Sequence, residues 1–309
     1  MVLFSRIIAR PALIKQVLPS SIYPNMARMS SQTPTFEFLS VTVPKDYIFH
    51  VELNRPTKLN AITHKFFSEI KECFDHLSLN EDCRIVVLSG AGKLFTAGID
   101  FKDFAKNGSK IGAEEDIARK AKLLLNNFLR PYQQSMSSLE RCNKPVIAAI
   151  HNACIGAGVD LVTAADMRYC TKDAYFQVKE VDLGLAADIG SLQRLPKVIG
   201  GDSLVRELCY TCRQLPAHEA LNCGLVSKVY DNKEEMLQGV LALAEEISKK
   251  SPVAVQTTKT NLIYSRDHTV QEGLDQIALL NQAMLQSEDL LNATMAQITK
   301  DSDVVFSKL

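Results

Sequence analysis

Glu180, in Phe176-Gln-Val-Lys-Glu-Val-Asp182, and Asp188, in Gly184-Leu-Ala-Ala-Asp-Ile-Gly190, are the side chains of this sequence best suited to moving protons. Asp188 stands among Leu185, Ala186, Ala187 and Ile189, which predicts partial burial. Desolvation would then raise its pKa and allow a neutral acid near pH 7. A third carboxyl, Asp160, closes the run Cys154-Ile-Gly-Ala-Gly158-Val-Asp160. Taken singly, each has a plainer role open to it: a helix cap for Asp188, a solvated loop charge for Glu180, a first-turn dipole partner for Asp160.

Two glycine-rich stretches allow main chain to approach a ligand closely. The first is Gly90-Ala-Gly-Lys-Leu-Phe-Thr-Ala-Gly-Ile-Asp100. Its Gly-Lys pair does not make a phosphate loop, because Val87 and Leu94 stand where that motif needs Gly and Ser or Thr. The second is the Cys154 to Asp160 run, which follows an apolar strand and opens a helix. A helix start offers unpaired N–H groups and the positive end of the dipole, which suits an oxyanion as well as a phosphate. A dinucleotide fingerprint is weak there, since Leu161 replaces its third glycine.

The elements that must position these residues follow from periodicity. Phe38 to Val43 and Ile48 to Leu53 read as short strands joined by a turn at Pro44-Lys45-Asp46. Thr63 can cap a helix through Leu77, with Phe66, Phe67, Ile70, Phe74 and Leu77 at helical spacing, and Ile85 to Leu88 is then a buried strand. The pattern repeats with a long helix from about Ala113 to Glu140, a strand Val146 to Ile150, a glycine-rich turn, a helix from about Val159 and a strand Arg168 to Cys170. Such alternation predicts an α/β core. Beyond about Asp231 only helical segments follow: Lys233 to Lys249, Val253 to Tyr264 and Val270 to Met295. They form a helical region too poor in core residues to stand alone, which must pack on the core or on neighbouring subunits.

Asn54-Arg55-Pro56 with Leu59-Asn60-Ala61, Phe95-Thr-Ala-Gly-Ile-Asp100, Lys144-Pro145-Val146 and Gly156-Ala-Gly158 form an ordered set of motifs. In these the sequence resembles the crotonase, or enoyl-CoA hydratase/isomerase, superfamily, from about Phe38 onward. The resemblance implies a ββα spiral core with a C-terminal helical oligomerisation region, and trimers or dimers of trimers. It places two oxyanion-hole donors on the N–H groups of Ile99 and Ala157, the latter standing where glycine is usual. It also lines a coenzyme A groove with Lys58 to Ala61 and with Ala97, Gly98, Ile99, Asp100 and Phe101.

Phe176 to Asp188 is most similar to the branch that shifts a 3,5-dienoyl-CoA to a 2,4-dienoyl-CoA. That reaction takes a proton from C2 and returns one at C6, so two carboxyls must stand apart along the acyl chain. Glu180 and Asp188 supply the pair, with Glu180 as the C2 base, Asp188 as the C6 acid and the exchanged assignment open; Asp160 adjusts their proton affinities. Hydration of a 2-enoyl-CoA and Δ3,Δ2-enoyl isomerisation are the alternatives in the same fold. An aspartate at 160, in place of one of two water-activating glutamates, counts against hydration. No cofactor is implied, coenzyme A being part of the substrate.

The 309-residue composition, 46% hydrophobic and 23% charged, excludes global disorder. Lys plus Arg and Asp plus Glu both total 35, so no net field favours nucleic acid or anionic membrane. The helix from Thr63 mixes Lys65, Glu69, Lys71, Glu72 and Asp75 and carries no basic stripe for RNA. No apolar run approaches the roughly 20 residues of a membrane helix. The eight cysteines are scattered through apolar sequence and read as reduced core thiols, with Cys209 and Cys212 lacking a second pair for zinc. Residues 1 to 35 read as a mitochondrial targeting segment, with Arg6, Arg10, Lys15 and Arg28 and no acidic residue, while Ser307-Lys308-Leu309 reads as a peroxisomal address. The expected organisation is therefore a targeting segment to 35, a core over 36–230 and a helical region over 231–309.

Overall fold

The computed structural model describes residues 34–300 and 304–309. The targeting reading falls almost wholly outside them. Strands β1 (Leu39–Lys45) and β2 (Ile48–Leu53) pair antiparallel around a turn at Asp46 and Tyr47, slightly later than the sequence suggests. Thr63 accepts a hydrogen bond from Phe66 N–H and caps α1 (His64–Leu79). Its face of Phe66, Phe67, Ile70, Phe74 and Leu77 is buried, each side chain contributing about 1.5–3 kcal/mol.

Strands β3 (Ile85–Gly90), β4 (Val146–Ile150), β6 (Met167–Thr171) and β9 (Val229–Tyr230) extend the sheet in parallel, in the order β1-β2-β3-β4-β6-β9. A smaller sheet joins β5 (Ala153–Ile155), β7 (Tyr175–Gln177) and β8 (Leu215–Pro216). Single parallel bridges, Ile62 to Ile99 and Thr96 to Cys154, attach the earlier loops to that second layer. The mixed α/β core expected from the sequence is thus present.

The long helix expected from Ala113 to Glu140 is present as an unbroken helical run over 117–141 that starts a few residues later and contains a π turn. Its parts are α3 (Ile117–Leu124), a π-helical turn (Leu125–Leu129) and α4 (Arg130–Arg141). Before them Phe101–Gly112 forms α2, which its Asn107, Gly108 and Ser109 had hidden. The turn at Gly156 leads into α5 at Ala157 rather than Val159, and α5 runs Ala157–Thr163, all buried. Later come a 3-10 turn (Glu180–Leu183), α6 (Ser191–Ile199), α7 (Asp202–Thr211) and α8 (Ala217–Asn222).

In the C-terminal region α9 (Lys233–Ser248) lays Met236, Val240 and Ala244 on the sheet face formed by Ile48, Ile85, Val87, Ile147 and Ala149. Helix α10 (Pro252–Arg266) is pinned by buried Lys259, which pairs with Asp166 at 2.7 Å and donates to the carbonyls of Leu139 and Lys144. The last expected helix is two, α11 (Val270–Met284) and α12 (Glu288–Thr299), parted at Leu285–Ser287. The tripeptide at 307–309 lies against the body: Asp289 accepts from Ser307 N–H and hydroxyl at 2.8 Å, Lys308 pairs with Asp82 at 2.8 Å, and Lys144 donates to the Leu309 main-chain oxygen. All eight cysteines are free thiols, only Cys223 being partly exposed. Among the described residues no helix is long and apolar enough to cross a membrane.

Candidate active site

The site is assembled where three loops meet at the second sheet. The first loop, Arg55 to Ile62, makes a 3-10 turn at Pro56–Lys58 and passes through left-handed Leu59 and Asn60, with φ of 53° and 52°. Fully buried Asn60 holds the second loop: its amide donates to the carbonyls of Ala91, Leu94 and Phe95 at 2.8, 3.1 and 3.0 Å, and its carbonyl accepts from Thr96 Oγ1 at 2.7 Å. Ala97 N–H donates to Leu59 O at 3.0 Å. Arg55 donates to Ala61 O at 2.9 Å and to Asp100 Oδ2 at 2.7 Å. Asp100 also caps α2, and the Arg55 guanidinium, ahead of these main-chain bonds, holds its carboxyl below the usual carboxylate range. The expected groove residues Lys58, Ala61 and Ala97 to Phe101 are therefore brought together, with Lys58 and Phe101 exposed at the surface.

Two N–H groups are left over by this construction. Ile62 donates to Gly98 O at 2.8 Å and accepts from Asp100 N–H at 3.0 Å, so the intervening Ile99 N–H faces the opposite side. Ala157 is the first residue of α5, where an N–H has no partner within the helix. Gly98 brings the two donors close. At its φ of +87°, an added Cβ would stand 2.8 Å from Ile155 O and 3.8 Å from Ala157 N.

The carboxyls lie beside these donors. A Cβ on Gly156 would come within 3.3 Å of Glu180 Oε1, so this group sits at the mouth of α5. Glu180 is buried, and its Oε2 has no hydrogen-bond partner. Burial first, and the charge of Asp188 next, push its pKa up. Asp160 is fully buried; its Oδ1 accepts from Ser191 N–H at 2.5 Å, while Oδ2 is unpartnered. Burial and then Glu180 push Asp160 up to about 7. Asp188 meets expectation in part. Its apolar neighbours do not enclose it: Leu185 and Ala186 are themselves exposed and only Ala187 and Ile189 turn inward, leaving Asp188 at the rim. Desolvation by the protein behind it still raises its carboxyl. Nor does it cap α6, whose N-cap is Gly190. Gln133 on α4 donates to Asp188 O at 2.8 Å and fixes that loop.

The site also contains a residue that the sequence did not single out. Arg194 on α6 is 8% exposed and reaches under Gly190 toward Asp160. Its only advance signal is an arginine on an otherwise inward helical face, which long surface arginines often share.

The buried Asp160 carboxyl has a measurable consequence. Because its folded pKa lies above that of an unfolded aspartate, wild-type stability is greatest below about pH 4 as far as this group is concerned and falls as pH rises through 7. Asp160→Asn removes that loss. Chemical denaturation should find the variant more stable than wild type at pH 8, by on the order of 4 kcal/mol, with the gap closing toward pH 4. A gap independent of pH would show that Asp160 titrates normally.

Residues 44–298 match the profile described as Enoyl-CoA hydratase/isomerase, and the chain belongs to that family. Among curated proteins it is 54% identical over 278 residues to the mitochondrial Delta(3,5)-Delta(2,4)-dienoyl-CoA isomerase of Homo sapiens, an alignment covering 89% of this chain and 84% of that protein. It is 45% identical to the peroxisomal protein of the same name from Arabidopsis thaliana, over 82% of this chain and 90% of that one. The crystal structure of a putative enoyl-CoA hydratase from Streptomyces coelicolor A3(2) superposes with a TM-score of 0.80 at 26% identity, covering 93% of this chain and all of that one. The fold is therefore the crotonase fold that the sequence motifs imply.

Proposed function

We propose that this protein isomerises 3,5-dienoyl-CoA to 2,4-dienoyl-CoA in fatty-acid β-oxidation. The observation that carries the reading is the juxtaposition of two unpaired N–H groups, Ile99 and Ala157, with Glu180 at the start of α5 and Asp188 within its electrostatic reach. The substrate thioester oxygen accepts from the two N–H groups, which stabilises negative charge as it develops. One carboxylate, Glu180 in our assignment, takes a C2 proton. The C2=C3 bond forms, the double bonds move one position along the chain, and C6 takes a proton from Asp188. The thioester acidifies the C2 proton and the product is isomeric with the substrate, so the chemistry calls for no metal or redox cofactor.

Raised proton affinities at Glu180 and Asp188 suit one group to lose a proton and the other to hold one near neutral pH. Complete burial of Asp160 argues against its activating a water for hydration. The test is to mix the purified protein with a 3,5-dienoyl-CoA and, separately, a 2-enoyl-CoA. Growth of the ultraviolet absorbance of the thioester-conjugated diene, with little hydration of the enoyl ester, is the expected result; hydration alone would overturn the reading.

The names of the relatives and the two terminal addresses support residence in mitochondria and peroxisomes. Imaging with each end masked in turn tests this, and purely cytosolic protein would refute it. Exposed Leu262, Leu274, Leu279, Leu285, Met295 and Ile298 on or beside α10 to α12 support a homo-oligomer, a trimer or a dimer of trimers. Sedimentation of a monomer at micromolar concentration would exclude it.

A further inference from the structure

Asp160 Oδ2, Glu180 Oε2 and Arg194 Nε are buried without hydrogen-bond partners, and the charges of Glu180 and Arg194 both act on Asp160. A buried carboxyl beside a second carboxyl needs a positive charge to remain ionised, and only one cation stands close. A Cβ placed on Gly190 would lie 2.2 Å from Arg194 Nη1 and 3.7 Å from Asp160 Oδ1. Gly190, at φ +149°, is therefore the gap through which the guanidinium faces the carboxylate. From behind, Arg194 Nη2 donates to Ser137 Oγ at 2.8 Å and to Glu140 Oε2 at 3.0 Å, and Arg266 binds the other oxygen of Glu140. A partly buried acid from α4 and a second arginine from α10 thus fix one guanidinium.

We propose that Arg194 is a positioning residue for the isomerisation: clamped by Glu140 and Ser137 behind Gly190, its charge favours the ionised form of Asp160 next to Glu180, which makes Glu180 the stronger base. The proposal rests on the isomerase reading for its catalytic consequence, though not for its electrostatics. The titratable or charged groups that face Asp160 are Glu180 from the 3-10 turn, Arg194 from α6, Cys154 from β5 and Cys209 from α7. Glu140 lies beyond Arg194, and Asp188 acts through Glu180. Burial holds both thiols protonated, so Arg194 is the one opposing charge among the described groups. Its attraction already lowers the proton affinity that burial and Glu180 raise in Asp160.

The test compares Arg194→Met and Arg194→Gln, the latter keeping a donor for Glu140 and Ser137, with Arg194→Lys, which keeps the charge. Two quantities are read: the pH profile of kcat/KM with a 3,5-dienoyl-CoA, and the titration of Asp160 by carboxyl carbon-13 NMR, assigned with Asp160→Asn. Both neutral variants should move the Asp160 resonance upward and the acid limb of the profile, set by Glu180, downward by about 1 pH unit, and lysine should restore both. A lower kcat with limb and resonance unmoved would make Arg194 purely structural and overturn the proposal. If methionine prevents folding, glutamine and lysine still decide it. Loss of the isomerase reading is distinguishable: wild type would not turn over the diene, while the Asp160 resonance would still follow the charge at position 194.

Discussion

Asp188→Asn should lose at least about 10²-fold in turnover of a 3,5-dienoyl-CoA while remaining folded, since general acid/base groups typically contribute 10²- to 10⁴-fold. The structure separates the chemical from the structural effect at this position. Among the described residues the Asp188 carboxyl accepts no hydrogen bond from another residue and makes no ion pair; the loop is held instead through its main-chain oxygen, by Gln133. Asparagine keeps the shape and cannot exchange the proton, so the melting transition should shift by no more than an exposed substitution does, about 0.5 kcal/mol. Exposure at the rim also suits the proposed assignment, in which Asp188 meets C6 beyond the buried Glu180 at C2. Turnover within a few-fold of wild type would remove Asp188 from the mechanism and leave Glu180 without its partner.

The second large effect concerns a main-chain group. Ala157→Pro deletes one of the two N–H donors, and proline is tolerated at the first position of a helix, where that N–H has no partner within the helix and helical φ suits the proline ring. The variant should therefore fold, with kcat lowered by about 10²- to 10³-fold. Thermal unfolding alongside single-turnover kinetics would check both halves. A stable variant with kcat nearly intact would mean that the thioester oxygen is held elsewhere. Gly98 explains why two donors can act together: its left-handed backbone lets one loop press against Ile155 and Ala157, an approach that any side chain would block at 2.8 Å.

The motifs that define the family lie in stretches whose residue types are dictated locally. Asn60 illustrates this: it must occupy left-handed backbone at φ 52° while its side chain satisfies three carbonyls, and few residues meet both demands. Such a residue is visible in sequence as part of a motif, although what it clamps is not. The helix boundaries show the opposite case. Pro131, which lacks an N–H to continue the ladder, is the local mark of the π turn at Leu125–Leu129, whereas no glycine or proline parts α11 from α12, so periodicity alone ran those two together. Helix α2 was missed because Asn107, Gly108 and Ser109 lower local propensity, whereas its start is secured by Asp100, itself held by Arg55 from another loop.

By itself the sequence determined the α/β alternation, the two glycine-rich loops, the three carboxyls and their order along the chain, because hydrophobic period, turn chemistry and motif spacing act over a few residues. Only the tertiary structure decided which carboxyl is sealed and which stands at the rim. Asp188, set among apolar residues in sequence, is exposed because Leu185 and Ala186 face outward with it, and Asp160 is fully buried because α5 runs through the core. It also supplied Arg194, whose partners Glu140 and Ser137 lie on α4, with Arg266 of α10 binding Glu140 in turn. Burial and charge pairing depend on which distant segments pack together, and no local rule encodes them.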